Sequence, residues 1–231
     1  MSDKQGKENG KSTSNLKVLD FNPDIENEYV EKVKSGVDKY VSNGGKIVMF
    51  DYDGTIRGNN KVAGVSSYIR RGFIDSYNYC KQQGLQIEIC TLRKSEEIDN
   101  LENLGIVFDE INSSDKMLDY IAKHPNPKQT EAEEMLKKSS EELISLVNEI
   151  ESEIKRGKRP EKWSVFLQAA GIHMAEKEEN PNSKILFMAH RFEQGEWAFL
   201  IDDDEDSGGL AERLETGVLI PKPEGYEYDK D

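Results

Sequence analysis

Asp51 and Asp53 follow a short apolar segment and form the strongest chemical signal in the chain. Residues 46–50 are typical of a buried strand, and residues two apart in a strand point to the same side. Both carboxylates therefore face one site if the chain stays extended. Because adjacent carboxylates repel one another, the pair indicates a divalent cation or a shared proton. Oxygen ligands of this kind suit Mg²⁺.

The two residues after this pair favour a tight turn at the site. Gly54 permits a sharp change of backbone direction, and Thr55 can hydrogen-bond back to a carboxylate or a backbone group. A polar strand end followed by an ordinary Asp/Gly turn is the alternative interpretation. The spacing D-x-D-G-T directly after an apolar strand favours the chemical interpretation.

A second acidic segment, residues 202–206, follows the apolar residues 197–201. An unbroken run of acids at the edge of a sheet is costly without a cation to offset the charge. An acidic surface loop is the alternative. Given the first motif, the segment indicates a second contribution to a metal site.

The elements that must position these residues alternate between strands and helices. A first helix begins at Asn22-Pro23-Asp24, where a capping residue precedes a proline, and ends at Gly44-Gly45. The alternation predicts an α/β fold, a Rossmann-like parallel sheet with helices on both faces, whose ligand lies beyond the carboxyl ends of the strands. The elements predicted next are strands at 46–50, 85–90 and 106–108, helices at 66–83 and 94–104, and a loop at 57–64.

From residue 114 to 182 the sequence predicts helices alone, at 116–124, 130–156 and 161–176. We interpret this stretch as an α-helical insertion, either a cap over the active site, which we favour, or an appended hairpin. A coiled-coil arm is the alternative for the long helix. The core resumes with a helix at 184–192, a strand at 197–201, a helix at 209–214 and a strand at 218–220. The predicted domains are a disordered tail (1–20), a first core part (21–113), the insertion (114–182), a second core part (183–221) and a polar tail (222–231).

Composition limits the partners. The 231 residues carry a net charge of −14, which makes nucleic acid an unfavourable partner. Cys80 and Cys90 have no metal-type spacing and are expected to be buried, reduced thiols. There is no apolar run long enough to span a bilayer and no secretory signal pattern, so we expect a cytoplasmic protein, with export without a cleavable signal left open. The oligomeric state is left open too.

Residues 50–56, Phe-Asp-Tyr-Asp-Gly-Thr-Ile, resemble the first signature motif of the haloacid dehalogenase superfamily. The resemblance implies that Asp51 is a nucleophile that attacks phosphorus. It also implies that Asp53 protonates the leaving oxygen and then serves as the base for the hydrolytic water. An acid at this second position is similar to the phosphatase branch of the superfamily.

Three further motifs of the superfamily can be assigned in order. Thr91, after the strand at 85–90, is similar to the residue that hydrogen-bonds the phosphoryl group. Lys184, after Pro181-Asn182-Ser183, resembles the motif lysine, with Lys162 and Lys158 as alternatives. Arg93, two residues after Thr91, is not itself part of a motif; it is either a charged phosphate contact or a solvated residue at a helix start. We expect the substrate-binding residues to include Gly54, Thr55 and Arg93.

The fourth motif is an acidic pair after a hydrophobic strand. The resemblance favours Asp203 as a Mg²⁺ ligand, with Asp202 bonding nearby groups and Asp206 as an outer partner. The expected metal site comprises Asp51, Asp53 through its backbone carbonyl, Asp202 and Asp203. The resemblance covers residues 46–112 and 183–220 and leaves out the tail, the first helix and the insertion.

The resemblance therefore implies a Mg²⁺-dependent phosphatase that acts on phosphomonoesters through an aspartyl-phosphate. A phosphoprotein, including phosphotyrosine, is the expected substrate if the insertion stands off the site, and a small metabolite if it closes over it. The alternatives are a phosphotransferase and a binding or adaptor protein on an inactive fold. Partial burial and a nearby negative charge at Asp53 predict an optimum at roughly pH 5 to 7.

Overall fold

In the computed structural model of the protein, the described residues are 16–156, 162–177 and 183–227. Eight helices and eight strands are found within these ranges. The strands are β1 (Val18–Leu19), β2 (Ile47–Phe50), β3 (Arg57–Asn60), β4 (Val65–Arg70), β5 (Gln86–Cys90), β6 (Glu110–Asn112), β7 (Ala198–Asp202) and β8 (Gly217–Leu219). The helices are α1 (Pro23–Ser42), α2 (Arg71–Gln82), α3 (Ser114–Lys123), α4 (Gln129–Leu136), α5 (Ser140–Lys155), α6 (Trp163–Lys177), α7 (Lys184–Glu193) and α8 (Ser207–Arg213).

Five parallel strands form the main sheet, in the order β6-β5-β2-β7-β8. The predicted α/β fold is confirmed. The chain adds strands outward from β2 in one direction and then, after the helical stretch, in the other. The order reverses between β2 and β7, and a crevice for ligands forms at such a reversal beyond the carboxyl ends of the strands.

Alternate residues of the strands enter two hydrophobic clusters on opposite faces of the sheet. Val48 and Phe50 of β2 face α1 and α2, where Tyr29, Val33 and Phe73 complete the packing. The opposite face of the sheet packs against α7 and α8. Helix α6 then covers α7, and α4 packs against α6. The helical insertion therefore thickens one face of the molecule into an additional layer.

A second, small sheet joins β1, β4 and β3. It corrects three predictions: the loop at 57–64, the helical start at 66–70 and the disordered character of the whole tail 1–20. Strands β3 and β4 form an antiparallel hairpin, and Val65, Tyr68 and Ile69 are β-branched or aromatic residues that favour strands. Val18–Leu19 pairs with β4, while residues 1–15 lie outside the described ranges.

The helix predicted at 94–104 is also wrong: two short 3₁₀ turns, Ser95–Glu97 and Glu102–Leu104, take its place. The Tyr52 hydroxyl accepts a hydrogen bond from the Asp99 amide and donates one to its carboxylate, which holds the segment between the turns. Side-chain hydrogen bonds of this kind compete with a helix.

The third core strand, predicted at 106–108, is wrong in position: β6 comprises Glu110–Asn112, and the predicted residues are not in a strand. The Tyr77 hydroxyl satisfies both backbone groups of Val107, so that residue has no need of a strand partner. The long helix predicted at 130–156 is divided into α4 and α5. Ser139 and Glu142 form a reciprocal capping box that starts the second helix.

The remaining predicted elements of the core agree with the structure within a few residues. The Asn22 side chain caps α1 as expected, accepting hydrogen bonds from the amides of Asp24 and Ile25. Cys80 and Cys90 are free and buried, and burial raises the pKa of Cys80 to about 12. Among the described helices, none combines the length and the apolar character required to cross a bilayer.

Candidate active site

The motif residues meet at the carboxyl edge of the main sheet. Asp51 directly follows β2, Thr91 directly follows β5, and Asp202 ends β7. Because Phe50 pairs with Ile89 on one side and with Ile201 on the other, these strands end at the same level. Lys184 is the first residue of α7, the helix that packs on the sheet face opposite α1 and α2. The strand register therefore brings motifs that are far apart in sequence to one place.

Three carboxylates and one ammonium form the centre of the site. The side-chain oxygens of Asp51, Asp202 and Asp203 include a set that lies within 4.8 Å of one another. Lys184 Nζ is 2.8 Å from Asp51 Oδ1 and 2.8 Å from Asp202 Oδ2. All four side chains are buried. We call these four residues the Lys184 cluster.

Burial and charge shift the protonation of the Lys184 cluster. Burial raises the pKa of Asp51 well above its usual range; Lys184 opposes this shift, while the charges of Asp202 and Asp203 add to it. Burial alone would lower the pKa of Lys184, but the carboxylates of Asp202 and Asp51 outweigh burial and raise it. The Lys184 ammonium therefore stays charged, and the excess negative charge favours protonation of Asp51.

The turn after Asp53 approaches the Lys184 cluster closely. Gly54 has a φ of +76°, and a Cβ at this position would collide with the Asp203 carboxylate. Thr55 Oγ1 donates a hydrogen bond of 3.2 Å to Asp203 Oδ1. Thr55 thus bonds a carboxylate, as its type suggested. Neither Gly54 nor Thr55 is among the residues that line the cleft, so the structure does not support the substrate-binding role expected for them.

The buried Arg70 holds this turn through a hydrogen bond to its backbone, a role that the sequence did not indicate. Its Nη1 donates to the Gly54 carbonyl at 2.6 Å and to the Pro221 carbonyl at 2.9 Å. Its Nε and Nη2 contact Glu26 of α1 at 2.9 and 2.8 Å. An arginine in a strand gives no sequence signal of such a role, because most arginines are exposed.

Asp202 is held by residues of its own segment. Ser207 Oγ donates to Asp202 Oδ2 at 2.6 Å, and the Asp204 amide donates to Asp202 Oδ1 at 3.0 Å. The Ser207 amide donates to Asp204 Oδ2 at 3.1 Å. Asp204 and Ser207 are therefore outer partners of Asp202 in this segment, and Asp206, for which this role was expected, is exposed at the start of α8.

Asp53 is engaged by Arg93. The guanidinium Nε lies 2.5 Å from Asp53 Oδ2, and Nη2 donates to Asp53 Oδ1 at 2.9 Å. This ion pair raises the pKa of Arg93. Arg93 is thus no solvated helix-start residue, and the Asp53 side chain is directed to Arg93 rather than to the group of three carboxylates.

Thr91 is nearly fully buried and lines the same cleft. Its Oγ1 accepts a hydrogen bond of 3.2 Å from the Arg93 amide. Of the two alternatives for the motif lysine, Lys162 borders a separate groove beside α5, and Lys158 lies outside the described residues. Within the described chain, Lys184 is therefore the candidate that contacts Asp51.

The cleft above the cluster has a volume of about 330 Å³. Described residues of the insertion contribute nothing to its lining, because helices α3 to α6 pack on the face of α7 and the sheet. The expected position of the insertion over the site is therefore wrong for the described residues. Its apolar stripe is used to extend the core. The hairpin β3–β4 borders the cleft instead, through Arg57, Asn59 and Ser66, which the sequence did not single out.

The described part of the predicted polar tail also reaches the cleft. Residues 221–227, which we call the C-terminal strap, run along β3, and Tyr226 lines the cleft. Asn59 Nδ2 donates to the Glu227 carbonyl at 2.8 Å, and the Glu227 amide donates to Asn59 Oδ1 at 3.1 Å. Burial raises the pKa of Tyr226, and the charges of Asp53, Asp203 and Asp51 add to this effect. An aromatic residue within a polar tail was the one sequence signal for this contact.

The donor set fits a hard cation such as Mg²⁺, which prefers carboxylate oxygens and retains positions for phosphate oxygens. Both oxygens of Asp202 already accept contacts, from Lys184, Ser207 and the Asp204 amide. These contacts agree with the expectation that Asp202 bonds nearby groups.

No protein-family model, curated protein or solved structure matches the chain. The resemblance to the haloacid dehalogenase superfamily therefore depends on the four motifs and on their meeting at one edge of the sheet.

Proposed function

We propose that the protein hydrolyses phosphomonoesters with the help of Mg²⁺, through an aspartyl-phosphate formed on Asp51. The observation that carries the proposal is the contact of Lys184 with Asp51 inside a buried group of three carboxylates. A purely structural site gains nothing from burying carboxylates in excess of their cations. A site for an anionic ester and a divalent cation needs such a group.

In the first step, an oxygen of Asp51 attacks phosphorus, and the bond from phosphorus to the ester oxygen breaks. The leaving oxygen takes a proton from Asp53. In the second step, water attacks the phosphoryl group, the bond to Asp51 breaks, and Asp53 takes the proton of the water. The products are an alcohol or phenol and inorganic phosphate, and Asp51 is regenerated.

The surrounding residues hold the phosphoryl group. Lys184 contacts Asp51, and Thr91 lines the same cleft. Both would hydrogen-bond the equatorial oxygens of the phosphoryl group, whose charge must be stabilised in the transition state. Bound Mg²⁺ would offset the repulsion between the anionic nucleophile and the anionic ester.

Arg93 contacts both oxygens of Asp53. For Asp53 to exchange protons with the leaving oxygen, this pair must open. The incoming phosphate offers Arg93 another anionic partner. Arg93 would thus bind substrate and at the same time free Asp53 for its role.

The test is release of p-nitrophenol from p-nitrophenyl phosphate, with Mg²⁺ and with EDTA. Turnover should require Mg²⁺, and Asp51→Asn should lower kcat by at least about 10³-fold, because the amide cannot serve as the nucleophile. Asp119→Asn is the matched control, since Asp119 forms an exposed pair with Lys123 on α3. Wild-type turnover in Asp51→Asn would exclude the proposed nucleophile.

A further inference from the structure

The C-terminal strap is fixed at both of its ends. At its start, Arg70 binds the Pro221 carbonyl. At its end, Asn59 makes two hydrogen bonds with the backbone of Glu227, and Lys61 lies 3.1 Å from the Glu227 carboxylate. Between these contacts the chain turns, with the Tyr226 amide donating to the Pro223 carbonyl at 3.2 Å.

Arg70 connects the start of the strap to the turn at Gly54. The same Nη1 atom of Arg70 that binds Pro221 also binds the carbonyl of Gly54. The position of the strap is therefore coupled to the turn that follows Asp53. A solvated tail would not be expected to form such contacts with buried side chains.

Tyr226 supplies the cleft with a chemical group that its neighbours lack. Most lining residues are charged or polar, and the apolar side-chain surfaces in the lining belong to Leu92 and Tyr226. Lys184, Arg93 and the carboxylates account for the phosphate end of a substrate. Tyr226 adds an aromatic ring to the lining of the same cleft.

We propose that Tyr226 is a specificity-determining residue, and that it packs against the leaving group of a compact aryl phosphomonoester. This inference rests on the proposed function, since it assigns the substrate class of the same site. Aromatic rings pack favourably edge-to-face or offset against one another, beyond the gain from burial. The volume of about 330 Å³ is at the small end of ligand sites, which suits a free phosphate ester of one ring rather than an extended chain.

Binding of two phosphonates tests the proposal without the need for turnover. Phenylphosphonate and methylphosphonate carry the same anionic head, and their P–C bonds are not hydrolysed. We expect wild-type protein with Mg²⁺ to bind phenylphosphonate about 3-fold to 10-fold more tightly than methylphosphonate in calorimetry. Tyr226→Ala should abolish this ratio with little change in methylphosphonate affinity, and Tyr226→Phe should keep it.

Asn59→Ala tests the strap itself, because it removes two contacts to Glu227 and leaves Tyr226 in the chain. We expect it to reduce the ratio of the two affinities toward that of Tyr226→Ala. Tyr79→Ala is the matched control: Tyr79 lies on α2 and hydrogen-bonds Asp38 away from the cleft, so the ratio should not change. Thermal unfolding of each variant separates loss of folding from loss of the contact.

Equal affinities of the wild type for the two phosphonates would overturn the proposal, and so would a preference that survives Tyr226→Ala. Tighter binding of 4-phosphonomethylphenylalanine within a decapeptide than of the free amino acid would overturn the compact substrate. A ring preference that depends on Tyr226 in protein without turnover would uphold the binding assignment and remove the proposed hydrolysis instead.

Discussion

Helix α7 carries a buried cation near each end, and the two surroundings differ in charge. At its start, Lys184 meets Asp51 and Asp202, with Asp203 beside them, so three carboxylates surround one ammonium. Near its end, Arg191 binds Glu88, which is 0% exposed and lies on β5. Three neighbours complete the second group, which we call the Arg191 cluster: Glu196, Gln86 and Asn112.

The Arg191 cluster has its polar groups paired. Gln86 and Asn112 each donate to one oxygen of Glu88, and Arg191 contacts both. Its second acid, Glu196, is 44% exposed and remains largely in contact with water. The Lys184 cluster buries its excess acids instead. The difference separates a group that joins a helix to the sheet from one that carries excess buried charge at a cost in stability, which is what the proposed function requires.

The largest expected change in the free energy of unfolding comes from a substitution that breaks the Arg191 cluster. Arg191→Met should lower the free energy of unfolding by about 3 to 5 kcal/mol, because it leaves the Glu88 charge buried without a cation. Urea denaturation measures this loss. Arg213→Met is the matched control and should cost no more than about 1 kcal/mol, since Arg213 pairs with Glu151 while 58% exposed.

The second prediction has the opposite sign. Asp51→Asn should raise the free energy of unfolding of the metal-free protein by about 2 kcal/mol at pH 8, since it removes one of three buried negative charges. Urea denaturation with EDTA present measures it. A loss of stability at pH 8 would show that the cluster is a paired group like the one around Arg191.

The pH dependence of this gain follows from the raised pKa of Asp51. An acid whose pKa is raised by folding destabilises the folded state once it ionises, so wild-type stability falls as pH rises through that raised value. At low pH the acid is protonated in both states and resembles the amide. The advantage of Asp51→Asn should therefore shrink as pH falls below the raised pKa of Asp51.

The smallest expected effect comes from the cation itself. Mg²⁺ at ten times its Kd should stabilise the folded protein by about 1.4 kcal/mol, and this gain should weaken at pH 5, where protons compete for the ligands. Thermal unfolding with Mg²⁺ and with EDTA measures it. Asp203→Asn should reduce the shift, whereas Asp119→Asn should leave it intact.

Sequence predicted the parts of the site that depend on strand order. The apolar strands before Asp51, Thr91 and Asp202 were recognisable by composition, and parallel strands bring their carboxyl ends together whatever the intervening chain does. The parallel sheet and the approach of these acids could therefore be anticipated, whereas the place of Lys184 beside Asp51 was expected from the family resemblance alone.

The rest depended on contacts that composition does not encode. Residues 57–64 and the C-terminal strap are polar, as solvated loops are, yet both are fixed by long-range hydrogen bonds to one another. The apolar stripe of the insertion fits a cap and an extra core layer equally well. Arg93 could bind a phosphate or a carboxylate, and the carboxylate of Asp53 was not adjacent in sequence.

Strands β2, β5 and β7 end at the same level of the sheet. The number of residues in each strand therefore determines the position of the site residues as much as their type does. Side chains alternate along a strand with a period of two, so deletion of one residue within residues 198–201 would turn Asp202 to the opposite face of the sheet. An exchange of one apolar residue for another in the same strand would only change packing. Across natural variants, the distance from strand start to acid should hold more strictly than the strand sequence itself.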